Sequence, residues 1–222
     1  MTTKKQILGT LIIILASSIQ ANAQENNGHA YVDLGLSVKW ATCNVGATKP
    51  EEKGDYFAWG ETTGTGDGKV NFVWTTYKWC DGGIRKLTKY CTDIDYGVND
   101  ERKDLNPVDD VAHVKWGGSW RMPTYREMEE LGNNCTWKWT EQNGQTGYCL
   151  TSKVNGESIF LPAAGWVTDI GFLKFSVGGY YWTSSLHEYE PFKANFFSFL
   201  KDKARMSTAG RYCGLSVRPV CK

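Results

Sequence analysis

Histidine is scarce in this chain. There are three, His29, His113 and His187, and no Cys-x-x-Cys. A tetrahedral zinc site built from nitrogen and sulfur ligands is therefore not expected. Runs of like charge are absent, and 25 basic residues nearly cancel 24 acidic ones. Such a surface makes no electrostatic case for nucleic acid or for an acidic membrane as partner. Long apolar runs are lacking too. The one that stands out, Ile7 to Ile19, falls short of the roughly 20 residues that cross a bilayer as a helix. Catalytic and cofactor motifs are equally thin. Gly214-Leu-Ser216-Val-Arg218 fails the nucleophile-elbow pattern at its last position. Gly64-Thr-Gly66-Asp-Gly68-Lys69 is followed by Val70 where a phosphate loop needs Ser or Thr. Asp93-Ile-Asp95-Tyr-Gly-Val-Asn99-Asp100 has oxygen ligands but lacks the glycine spacing and closing Glu of a calcium loop, so it reads as a solvated turn. No cofactor is expected.

What is present begins with a leader. Lys4 and Lys5 precede the apolar run, and Ala21-Asn22-Ala23 offers the small residues that a signal peptidase reads. The expected division is a signal peptide over 1–23, a flexible polar leader over 24–30 and one folded domain over 31–222. No insertion into the membrane is expected after cleavage, and the product is placed in the periplasm, at the cell surface or outside the cell. All seven cysteines follow the leader, so disulfides are the default expectation, with the odd count leaving at least one unpaired. Cys80 with Cys91, across a turn-like stretch, is the first candidate pair. Cys135 with Cys149 is another, leaving Cys213 free. Spacing does not fix the connectivity.

Aromatic residues make up 14% of the chain, with ten Trp and eleven Tyr, and there are 24 Gly. A chain of this kind anchors irregular segments with large flat side chains, each able to bury about 150–250 Å². Most of the Trp are assigned to the core and the remainder to a binding surface. Short strands are expected at Tyr31–Leu36, Val38–Cys43 and Tyr56–Trp59. Asn106-Pro107 is expected to open a helix with Val108, Val111, Ala112 and Trp116 on its apolar face. Thr124-Tyr-Arg-Glu127 is a capping box that opens a second helix ending at Gly132. Strands follow at Ser158–Leu161, Gly179–Ser185, Ala194–Leu200 and Gly214–Val220. The pattern of strands, two short helices and more strands gives the α+β class.

The segment Trp116-Gly-Gly-Ser-Trp120-Arg121-Met-Pro123-Thr124, with Glu127 and Leu131, resembles the Fibrobacter succinogenes major paralogous domain family of exported bacterial proteins. So do Tyr31 to Ala47, Gly54 to Glu61, Ile159 to Gly165, Tyr181-Trp182-Thr-Ser-Ser185 and Ser216-Val-Arg218-Pro-Val220. The resemblance covers nearly all of 31–222. It implies a C-type-lectin-like fold: small twisted antiparallel sheets, two short helices, long loops, and paired N- and C-terminal strands. That pairing makes Cys43 and Cys221 a further disulfide candidate. It assigns Trp120, Arg121, Pro123, Thr124, Glu127, Trp182 and Arg218 to structure.

Of chemistry the resemblance implies little. Fold-mates bind glycans or proteins with their late loops, which points to Tyr189, Glu190 and Phe192 in one loop and Arg211 and Tyr212 in another. Calcium-dependent sugar binding is not expected, because Glu190-Pro191 is followed by Phe192 and no Trp-Asn-Asp occurs. Two alternatives stand beside a non-enzymatic binding or adhesion module. One is a display scaffold diversified by a reverse-transcriptase cassette at Tyr180, Tyr181, Ser184, Ser185, Tyr189 and Asn195. The other is an oxidase like the formylglycine-generating enzyme, for which Cys213 and Cys221 do not have the required spacing.

Overall fold

The computed structural model describes residues 24–66, 71–173 and 177–222. The expected signal over 1–23 and part of the Gly-rich loop, 67–70, lie outside the described residues. Among the described residues, no helix is long and apolar enough to cross a membrane.

The stretch 24–30, expected to be a loose leader, forms the first hairpin. Strand β1 (Gln24–Asn26) pairs with β2 (His29–Val32) around Asn27 and Gly28, whose φ values are 49° and 79°. That left-handed pair is what a two-residue hairpin turn requires. The hairpin is held from far along the chain. Trp120 Nε1 donates to Asn26 O at 2.7 Å, and the His29 ring stacks on Trp116 with centroids 3.9 Å apart.

Strand β3 (Lys39–Ala41) joins β2 on one side and the C-terminal strand β12 (Val220–Cys221) on the other, giving a four-stranded sheet with N- and C-terminal strands paired. Pro219 lies just outside β12, as a residue without an N–H should. Two three-stranded antiparallel sheets follow. One comprises β4 (Cys135–Gln142), β5 (Gln145–Ser152) and β6 (Ser158–Pro162). The other comprises β9 (Gly178–Leu186), β10 (Lys193–Leu200) and β11 (Lys203–Gly210). A small ribbon of β7 (Trp166–Thr168) and β8 (Gly171–Leu173) lies between them in sequence. Antiparallel sheets with two helices place the molecule in the α+β class, weighted toward β. The loop expected around Arg211 and Tyr212 begins only after Gly210, because Met206 to Gly210 belongs to β11. Gly214 to Val217, expected to be strand, makes only single bridges.

The first helix starts later than the sequence suggests. Pro107–Asp109 is one 3₁₀ turn, and α1 runs over Val111–Trp116. Asn106 makes no side-chain cap. Asp110 does the capping instead: its Oδ1 accepts from the amides of Ala112 and His113, and its Oδ2 accepts from Met122 N at 2.8 Å. Val108 is accordingly 69% exposed rather than in the core. The second helix, α2 (Tyr125–Asn134), begins on the expected capping box. Thr124 Oγ1 accepts from Glu127 N, and Glu127 Oε2 accepts from Thr124 N. Arg121 adds a two-pronged ion pair to the same glutamate, at 2.7 and 2.5 Å. The helix does not stop at Gly132 but runs directly into β4.

None of the ten tryptophans is exposed. Trp59 Nε1 donates to Thr183 O and Trp182 Nε1 donates to Phe57 O, both at 2.8 Å, so two indoles cross-link the same pair of segments from opposite sides. Ser184 N donates to Pro123 O and brings the start of α2 onto β9. Arg218 is fully buried. It donates to Asn44 Oδ1 and to the carbonyls of Ala41, Thr42 and Phe160, tying the end of β3 to β6.

The disulfide expectations are corrected: all seven cysteines are free. Cys135 and Cys149 occupy neighbouring strands, but Cys149 lies opposite Lys138. That odd three-residue offset from Cys135 puts the two side chains on opposite faces. Cys221 lies opposite Lys39, while Cys43 is further along the chain near Val217, reached through Val45 N to Val217 O. Cys80 and Cys91 turn their thiols to different carbonyls, those of Trp74 and Asp93.

Candidate functional site

Two loops meet at one end of the β9–β10 hairpin. The first runs from 81 to 100. Its inner side is core: Leu87 and Tyr90 are buried, and Leu87 bridges to both Cys80 and Gly97. Asp100 locks the loop by accepting from the amides of Tyr90 and Cys91, both at 3.0 Å. Asp93 Oδ1 accepts from Asp95 N. The acidic stretch is thus occupied with its own backbone. Among the described residues, no group of three or more His, Cys, Asp or Glu is placed to hold a metal ion. The outer side of the loop carries Ile94, 73% exposed, and Val98, 60% exposed.

The second loop is the turn 187–192 between β9 and β10. His187 Nδ1 accepts from Glu190 N, and Lys193 Nζ pairs with both oxygens of Glu190 at 2.9 and 2.8 Å. Tyr189 stands out at 76% exposure. Phe192 is half-buried because its ring lies on Tyr96 of the first loop, with centroids 5.1 Å apart. Arg85 covers the Tyr96 ring at 5.0 Å and Lys193 covers Phe192 at 5.3 Å. Arg85, Tyr96, Phe192 and Lys193 therefore form a row, cation–aromatic–aromatic–cation, that bridges the loops.

Beneath the row lies Arg211, fully buried. This corrects the expectation of a surface arginine. Its Nη1 donates to the carbonyls of Tyr90 and Pro191, its Nη2 to Lys89 O and its Nε to the Tyr77 hydroxyl, each at 2.9 Å. The Trp59 and Tyr77 rings sit 5.1 and 5.2 Å from the guanidinium carbon. Among the described residues no carboxylate pairs with it. A planar cation with five donors suits such a cradle of carbonyls. Because Lys89 and Tyr90 belong to one loop and Pro191 to the other, Arg211 is the pin that holds the two loops together.

Tyr189, Glu190 and Phe192 lie together on the turn 187–192, and Tyr212 is not with them. Its ring packs on Trp74 at 5.0 Å, and burial raises its hydroxyl to about 12. The first loop, with Arg85, Ile94, Tyr96 and Val98, was missed by sequence reasoning. Its Ile94-Asp-Tyr-Gly-Val98 places apolar residues among turn formers, and that is the signal that was available. Of the six positions proposed for diversification, Tyr181 and Ser184 are buried. Asn195 is engaged with the carbonyls of Ser185 and Leu186.

A cleft of ≈ 410 Å³ lies at the head of α2, lined among others by Asp104, Leu105, Trp120, Met122 and Arg121. Three of its charged groups are already engaged: Arg121 with Glu127, Asp110 with the amides of Ala112, His113 and Met122, and Asp104 Oδ1 with the Ser185 hydroxyl at 2.7 Å. Burial also raises the thiols of Cys43, Cys80, Cys91, Cys135, Cys213 and Cys221, Cys213 to about 12. A thiol raised in this way is held protonated, unlike an activated nucleophile.

No family model, no curated protein and no solved structure matches the chain.

Proposed function

We propose that the chain is an exported, non-enzymatic binding or adhesion module with a C-type-lectin-like fold, belonging to the Fibrobacter succinogenes major paralogous domain family. Its ligand is a glycan or a protein, engaged by the loops 84–98 and 187–192. One observation carries this reading: exposed Tyr189, Ile94 and Val98 flank an aromatic row on a base that Arg211 pins from below. A surface held in place before its ligand arrives loses less entropy on binding. Tyr is also enriched among the residues that dominate interfaces. The paired terminal strands, two short helices and long loops accord with the fold named.

The test is an array of glycans and host proteins probed with residues 24–222. Calorimetry on Tyr189→Ala and Phe192→Ala follows with whatever binds. Loss of affinity at unchanged melting temperature supports the reading, and unchanged affinity in both moves the site elsewhere. Chelator should leave binding intact. N-terminal sequencing of protein recovered outside the cytosol should begin at Gln24.

A further inference from the structure

The opposite end of the same sheet carries a second surface. In the sheet β9–β10–β11 the register lines up three cross-strand rows: Gly178–Leu200–Lys203, Tyr180–Ser198–Arg205 and Trp182–Phe196–Ser207. Alternation along each strand sends these rows to one face. They enclose a groove of ≈ 270 Å³ lined by Tyr180, Phe196, Ser198, Lys203, Arg205 and Ser207, among others. One wall is aromatic. Tyr180 is stacked against Trp166 at 5.3 Å and 14°, and Trp166 also stacks over Phe196. The other wall is the edge strand β11, which contributes both cations.

Three features of the groove point to a ligand. Among the described residues, every charged side chain lining it is positive. Neither Lys203 nor Arg205 makes an ion pair among the described residues, although both are exposed. The buried Nε1 of Trp166, whose ring stacks on Tyr180 behind the aromatic wall, has no hydrogen-bond partner among the described residues. Two cations on one side, an aromatic wall on the other and the hydroxyl-bearing Tyr180, Ser198 and Ser207 along it match a ring that is apolar on its face, hydroxylated at its rim and negatively charged. Arg adds a planar fork that suits a carboxylate or sulfate.

The geometry points to this groove as a binding site for an acidic saccharide, carboxylated or sulfated. It is separate from the loop surface, which lies at the Leu186–Ala194 end of the hairpin, whereas the groove lies at the Gly178–Leu200 end.

Trigalacturonate and a heparin tetrasaccharide supply the two acidic groups, with maltotriose as the neutral control and an oligoglutamate as the acidic peptide control. Calorimetry on the purified protein should show binding of one or both acidic saccharides and none of maltotriose. Arg205→Gln and Lys203→Gln should each weaken it about tenfold, the scale of one lost charge-assisted hydrogen bond. Both positions are exposed, so melting temperature should not move. Tyr180→Leu should weaken binding while leaving the charge unchanged. Lys138→Gln, on the exposed side of β4, controls for net charge and should have no effect. Tyr189→Ala should also leave this binding intact, which separates the groove from the loop reading. Several outcomes overturn the proposal: neither acidic saccharide binds, Lys138→Gln weakens binding as much as Arg205→Gln, or the oligoglutamate binds as well as the saccharides.

Discussion

The guanidinium of Arg211 donates to the hydroxyl of Tyr77 at 2.9 Å, and that hydroxyl in turn donates to Trp59 O at 2.7 Å. The charge is thus held by neutral oxygens throughout. Burial drives the Tyr77 hydroxyl well above the ordinary tyrosine range, so it remains a neutral donor and acceptor at any physiological pH. Removing the arginine strands several buried acceptors at once. Arg211→Met should cost about 3 kcal/mol or more, because each unsatisfied buried group carries its own desolvation penalty. Hydrogen exchange should rise first at the amides of 89–91 and of Phe192 and Lys193. A loss below about 1 kcal/mol would mean that the carbonyl cradle contributes little.

Thr124 and Trp120 flank one turn but do different things. Thr124→Ala removes a helix cap and should cost about 1 kcal/mol. Trp120→Ala empties a fully buried site and frees the β1–β2 hairpin, so about 3–5 kcal/mol is expected. Urea denaturation of both variants gives the order directly.

Acid should unlock the head of α2. Burial pushes the Glu127 carboxyl up, but the bonds from Arg121 and Thr124 outweigh it and hold it below the ordinary 4.5. A carboxyl lowered on folding contributes stability that is present above its unfolded value and lost as pH falls through the folded one. The wild-type protein should therefore lose stability below pH 4.5, and Glu127→Gln should show a shallower slope there. Identical slopes in chemical denaturation from pH 6 to pH 3 would remove Glu127 as a source.

Free thiols can be counted. Protein unfolded without reductant and alkylated with iodoacetamide should take up seven groups. Native protein should react slowly at Cys91, Cys135, Cys213 and Cys221, which are buried. Any shortfall in pairs, located by peptide mapping, would show a disulfide.

The start of α2 was legible because everything that makes it lies within a few residues: Thr124, Glu127 and the amides between them. The same holds for the α+β class and for most late strands. The first hairpin was not read. Asn27-Gly28 is a strong turn signal, but Gln24 to Asn26 has no apolar alternation, and what holds it is the indole of Trp120, 94 residues from Asn26. Arg211 escaped for a related reason. Composition treats an arginine near Gly210 and Tyr212 as a surface residue, and only the folded chain brings Lys89, Tyr90 and Pro191 around it. Free and paired cysteine look alike in sequence. The register of β4 on β5 separates them, and register is a property of two strands rather than one.

Arg211 and Arg218 follow in sequence every group they donate to, by as much as 134 and 177 residues. A chain emerging from its N-terminus exposes the carbonyls of Ala41, Thr42, Lys89 and Phe160 to water long before either guanidinium exists. Neither junction can close until its arginine arrives, and distant contacts of this kind form slowly. Folding is thereby tied to synthesis through Arg218, which leaves a nascent molecule open and threadable until both arginines are made.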